Sequence, residues 1–140
     1  MKKIFVMLVL SILITDCDSS NINYHNPNLP ASYVVNLQLN LNLPQYSNLK
    51  FSGYNYVDYS QGIRGVVVFN AGNSYVAFDL ACPNIAYTIC TSPMTILGTN
   101  AKCSCDNTTY SLFSGQCPGQ PYPMKPYRVE LNGDYLYVTN

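Results

Sequence analysis

The sequence predicts an all-β, antiparallel fold, and three observations carry that reading. Residues 35–41 alternate strictly, with Val35, Leu37, Leu39 and Leu41 on one face and Asn36, Gln38 and Asn40 on the other, which is the period of a half-buried strand. Two pairs of β-branched and aromatic runs, 63–69 with 75–80 and 127–131 with 135–139, are separated by short turn-forming stretches and read as hairpins. No convincing amphipathic helical period is found beyond the N-terminal segment. Many short strands joined by Gly, Asn and Pro turns argue for a sandwich or barrel.

The chain opens on Lys2 and Lys3, followed by an apolar run over residues 4–14 broken only by Ser11. That run is short of the roughly 20 residues a bilayer span requires and has the length of the hydrophobic region of an export signal. Cys17 follows it directly and resembles the lipidated cysteine of a bacterial lipobox, although Asp16 stands where a small residue is preferred. The expectation is a lipoprotein signal peptide over residues 1–16 and lipidation at Cys17. Acyl chains contribute about 0.8 kcal/mol per buried CH₂, so the membrane is the first expected partner and the cell-envelope surface, periplasmic or outer-membrane, the expected location. Residues 17–32, rich in Asn, Ser and Pro without an apolar period, read as a flexible tether.

Beyond residue 16, five lysines and arginines face six acids, a net charge near −1. No basic stripe exists to neutralise phosphates, so nucleic acid is not an expected partner. Low charge and thirteen tyrosines suit a β-rich envelope protein better than a cytosolic enzyme.

The folded part is expected to occupy residues 33–140, enough for one domain with a real core. The alternating strand at 35–41 is stopped by Pro44, and a shorter strand is expected at 49–51. The 63–69 and 75–80 runs turn around Asn70-Ala71-Gly72-Asn73. Further short strands are expected at 95–97, 101–103 and 109–113. The C-terminal hairpin turns at Asn132-Gly133-Asp134.

Two cysteine loops interrupt this pattern, Cys82-Pro83-Asn84 and Cys103-Ser104-Cys105-Asp106, within a segment of about 81–122. Their spacing is close to that of the Cys-x-His and Cys-x-x-His loops that share a two-iron cluster. With Gly65-Val66-Val67-Val68-Phe69-Asn70, Val76-Ala77-Phe78-Asp79, Tyr110-Ser111-Leu112-Phe113-Ser114-Gly115, Pro123-Met124-Lys125-Pro126-Tyr127-Arg128-Val129 and Leu136-Tyr137-Val138-Thr139-Asn140 around them, residues 62–140 resemble the Rieske ferredoxin-like family. The likeness is greatest to its small lipoproteins from Bacteroidetes-type bacteria. The resemblance implies an antiparallel Rieske-like (ISP-type) β-sandwich with a small cysteine-loop subdomain.

By position, the resemblance makes Cys82 and Cys103 the cluster cysteines and puts Asn84 and Asp106 where the family has histidines. Cys90 and Cys105 match the pair that forms a disulfide between the loops, with Cys90 three residues later than usual. Residues 115–121 stand in place of the Pro-containing loop that covers the cluster. An Asn amide is a poor iron ligand, and an Asp carboxylate is a hard one that shifts charge and potential. The lone histidine, His25, is far upstream. No iron–sulfur cluster is therefore expected.

In the family fold Cys82 and Cys103 approach one iron; without it their sulfurs come within bonding reach. Exported thiols tend to oxidise, so the implied pairs are Cys82–Cys103 and Cys90–Cys105. Cys117 is left as a free thiol, an alternative disulfide partner or a replacement ligand. Any metal would fall to Cys82, Cys103 and Cys117. A four-thiolate zinc site from Cys82, Cys90, Cys103 and Cys105 has spacings of C-x₇-C and C-x-C rather than the usual C-x₂₋₄-C.

Nucleophilic use of Cys105 or Cys117 lacks a neighbouring base. Asp79 and Asp106 are an acid pair by type, but Asp79 reads as a strand end and Asp106 as a turn residue. Asn107-Thr108-Thr109 fits a sequon by letter and reads as a turn. Tyr110, Tyr122, Tyr127, Tyr135 and Tyr137 divide by alternation between core and surface, and Lys125 and Arg128 read as solvating the sheet. The expected function is that of a non-enzymatic, membrane-anchored envelope lipoprotein in a structural or binding role, with a protein partner in the envelope. The alternative is an electron-transfer protein holding a [2Fe–2S] cluster through atypical ligands.

Overall fold

The computed structural model describes residues 24–140. The apolar N-terminal run and Cys17 lie outside the described residues. Nine strands follow: β1 (Asn36–Asn40), β2 (Asn55–Asp58), β3 (Val66–Asn70), β4 (Tyr75–Asp79), β5 (Thr95–Leu97), β6 (Asn100–Lys102), β7 (Thr109–Ser111), β8 (Pro126–Asn132) and β9 (Tyr135–Thr139). Six of them form one sheet in the order β1-β9-β8-β4-β3-β2, and β5-β6-β7 form a second. Every pairing is antiparallel. The fold is all-β with a separate cysteine-loop subdomain, as the sequence predicts.

Alternation places β1: Leu37 and Leu39 are buried while Asn36 and Gln38 are exposed. Its partner β9 aligns Leu37 with Val138 and Leu39 with Leu136, so four aliphatic side chains share one face. Val66 and Val68 of β3 join the same cluster, although three strands separate β1 from β3 in the sheet. The large sheet therefore curls around this core.

The opposite face of β3 is also covered. Val67 and Phe69 pack with Phe78, Leu80, Met94, Leu112 and Met124 in a second core, which lies between the sheet and the cysteine loops. Burial on both faces explains why β3 reads as a continuous apolar run rather than an alternating one.

Three expectations need correction, and one strand was missed. Residues 47–50 form a 3-10 turn rather than a strand over 49–51, with Leu49 driven into the core. The edge strand β2 was not expected, because its residues are all half-buried and show no alternation. The strand expected from residue 63 begins at Val66, since the amides of Ile63 and Arg64 bond the Asp79 carboxylate instead of a neighbouring strand. Residues 24–31 are docked on the domain rather than free. Leu29 is buried, and Lys125 Nζ donates to the carbonyls of Pro30 and Ala31 at 3.2 and 3.3 Å. Polar composition suggested a tether, but these polar groups are spent on partners in the fold.

Candidate functional site

The site is built from three loops, and a buried carboxylate fixes the base of the first. Asp79 ends β4 with no exposed surface. It accepts the amides of Ile63 (2.6 Å), Arg64 (3.2 Å) and Ala81 (2.8 Å) and the hydroxyl of Tyr127 (2.7 Å). Burial pushes its pKa up, while these donors pull it down. Burial and then the neighbouring Asp79 charge push the Tyr127 hydroxyl far above its ordinary range. Lys125 shifts down because it too is buried. Such a carboxylate is a clamp, joining the 63–64 turn, β8 and the start of the first cysteine loop.

The second loop is the β6–β7 connection. Cys103 and Thr108 close it through a backbone bond of 2.8 Å, with Asn107 in the left-handed region at φ 62°. Asp106 Oδ1 accepts the amide of Thr108 at 2.9 Å and its hydroxyl at 2.6 Å. This is the usual way an Asp stabilises a turn, and it occupies the position where the resemblance implies a ligand.

Between these loops Cys82 is bonded to Cys103 and Cys90 to Cys105, across Cα separations of 5.5 and 6.1 Å. Cys90 Sγ lies 3.4 Å from Cys82 Sγ, and all four sulfurs fall within 4.8 Å of one another. Cys82, Cys90 and Cys103 are buried; Cys105 is exposed. Cys117 stands outside this group as a partly exposed free thiol, its Sγ 3.8 Å from the Pro118 carbonyl. The structure thus groups Cys82 and Cys103 with Cys90 and Cys105, not with Cys117.

Asn84 ties the third loop down. Its Nδ2 donates to Tyr110 Oη at 2.7 Å and to the Tyr122 carbonyl at 2.8 Å, and its Oδ1 accepts the Tyr122 amide at 3.1 Å. Tyr110 is fully buried, and burial raises its pKa, so the hydroxyl stays protonated. The docked N-terminal segment adds a second clasp. Tyr24 donates to the Pro123 carbonyl at 2.7 Å, while Asn26 and Asn28 both donate to the Pro83 carbonyl, at 2.8 and 3.0 Å.

These positions do not fit a Rieske-type cluster. Both hydrogens of the Asn84 amide and its oxygen are already engaged in joining two loops, and Asp106 is engaged in its own turn. His25 instead lines a hollow with Pro30 and Lys125.

No protein-family model matches the chain, and no curated protein matches it in sequence. Among solved structures, it is similar to the ferredoxin of Sphingomonas yanoikuyae B1 at 15% identity and a TM-score of 0.44, over 64% of this chain and 88% of that one. It is similar to a carbazole 1,9a-dioxygenase complex of reduced oxygenase and oxidized ferredoxin at 20% and 0.45, over 66% and 85%. The carbazole 1,9a-dioxygenase ferredoxin from Nocardioides aromaticivorans IC177 follows at 16% and 0.41, over 63% and 86%. Similarity this loose transfers neither ligand nor partner to this chain.

Sequence reasoning found the four cysteines and the two substituted positions. It missed Tyr24, Asn26 and Asn28 as loop clasps. Their signal was present in the Asn-rich stretch, since amide side chains satisfy the loop carbonyls that strands leave open, but nothing local names the carbonyl they reach.

Proposed function

We propose that this chain is a membrane-anchored envelope lipoprotein whose Rieske-like domain carries disulfide staples in place of an iron–sulfur cluster and serves a structural or binding role. The observation that supports it is the Asn84 amide, which bonds the Tyr110 hydroxyl at 2.7 Å and holds Tyr122 of the covering loop at 2.8 and 3.1 Å. An amide with these three bonds serves to join two loops, a role that needs no iron. The signal-like start and Cys17 support the anchor, with an envelope protein as the expected partner.

The test is a visible absorption spectrum with iron analysis and electron paramagnetic resonance after reduction. A colourless, iron-free protein is expected. Stoichiometric iron with a [2Fe–2S] signal overturns the reading in favour of an electron carrier. Intact-mass measurement checks the anchor: loss of residues 1–16 and addition of acyl mass at Cys17 are expected, and an unmodified N-terminus rejects it.

A further inference from the structure

The four sulfurs form a cage whose size the disulfides alone do not explain. Two disulfides can sit anywhere along a pair of loops, yet here they lie side by side. Cys90 Sγ is 3.4 Å from Cys82 Sγ, and no two of the four sulfurs are more than 4.8 Å apart. One zinc ion held by four thiolates at about 2.3 Å spaces its sulfurs about 3.8 Å apart along the edges of a tetrahedron. The non-bonded sulfur pairs thus lie within roughly 1 Å of that spacing.

Contacts other than the disulfides also shape the loops. Cys90 is held by its amide bond to the Ala86 carbonyl at 3.0 Å, and Cys103 by its bond to the Thr108 carbonyl at 2.8 Å. Asn84 and Asp106 secure the loop flanks independently. On reduction these contacts keep the two loops together, the paired sulfurs separate toward the tetrahedral spacing, and Cys105, exposed in the structure, gives access from solvent. The C-x₇-C and C-x-C spacings are no obstacle, because β6, β7 and the clamp at Asp79 bring the ligands together rather than a local turn.

We infer that the reduced protein holds one zinc ion in a tetrathiolate site formed by Cys82, Cys90, Cys103 and Cys105. Each disulfide takes two electrons and two protons from a dithiol, which becomes a disulfide itself. Zinc then displaces four protons from the four thiols. The inference rests on the proposed reading that these cysteines carry disulfides and not iron.

The full chain is first alkylated without reduction, which reports the disulfides. A second portion is reduced with dithiothreitol, desalted without oxygen, and titrated with Co²⁺ and then Zn²⁺. The expected result is the strong visible bands of tetrahedral cobalt thiolate, saturating at one ion per chain and erased by equimolar zinc. Zinc should also protect four thiols from alkylation while Cys117 stays reactive. Cys105→Ser should lose the tetrathiolate spectrum, and Cys117→Ser should keep it. Absence of the bands, loss of β-sheet circular dichroism on reduction without metal binding, or protection that includes Cys117 overturns the inference. Any of these leaves the disulfide reading standing, whereas iron in the protein as isolated removes that reading first.

Discussion

Asn84 carries more of the site than its size suggests, because three loop connections converge on one amide. Asn84→Ala leaves the Tyr122 amide and the buried Tyr110 hydroxyl without that partner. Unsatisfied buried groups cost about 1–3 kcal/mol, so the unfolding free energy should fall by about that much, seen as a lower denaturation midpoint at unchanged slope. A midpoint within error of the parent would mean that the covering loop is held by something else. Tyr24 offers a test by pH. Burial first of all raises its pKa from 10.0 to about 12, so the folded state holds the proton more tightly than the unfolded chain. Its contribution is complete below pH 10.0 and is lost as the pH rises through about 12. Tyr24→Phe should make the alkaline fall in stability shallower over that window, measured by urea titration at stepped pH; an unchanged alkaline limb contradicts the docking of residues 24–31. Tyr110 and Tyr127 titrate in the same direction, so part of the alkaline fall remains.

At the scale of elements, the connection between β7 and β8 is where the small subdomain seals against the sheet. Gly115 adopts φ 70°, and a Cβ there would stand 2.6 Å from Phe78 Cε1. Gly115→Ala combines a left-handed backbone, about 1–2 kcal/mol for an L-residue, with a clash against a ring that β4 holds in the core. The variant should unfold at markedly lower denaturant; a loss below about 1 kcal/mol contradicts this packing. Elements with a strong internal period were legible in the sequence. Strand β1 showed it by alternation, the β3–β4 and β8–β9 hairpins by β-branched runs around Asn and Gly. Strand β2 and the 3-10 turn at 47–50 were not, because Asn55 to Asp58 gain their order from β3 next door and Leu49 is buried by distant residues. The same division runs through the site. The family resemblance marked Cys82, Cys90, Cys103 and Cys105, whereas Asn84 showed only that a ligand type was missing. Its use as a clasp depends on Tyr122, whose proximity only the tertiary fold creates.

For the whole molecule, the two disulfides interleave along the chain, closing 21- and 15-residue separations. Loops of this length contribute about 3 kcal/mol each by limiting the unfolded chain. Cys90→Ser with Cys105→Ser should therefore lower stability by about 3 kcal/mol, read by reversible denaturation, while the curled sheet core around Leu37, Leu39, Val66, Val68, Leu136 and Val138 still folds. Loss of all β structure in that variant would instead mean that the large sheet depends on the subdomain. The staples thus lock the cysteine loops to each other, beside a sheet whose curled core is built from other residues. The most direct measurement is a non-reduced peptide map of the purified full-length protein. The account predicts linked peptides joining Cys82 to Cys103 and Cys90 to Cys105, with Cys117 alkylated as a thiol. Four alkylatable thiols at those positions in an iron-bearing protein would contradict it.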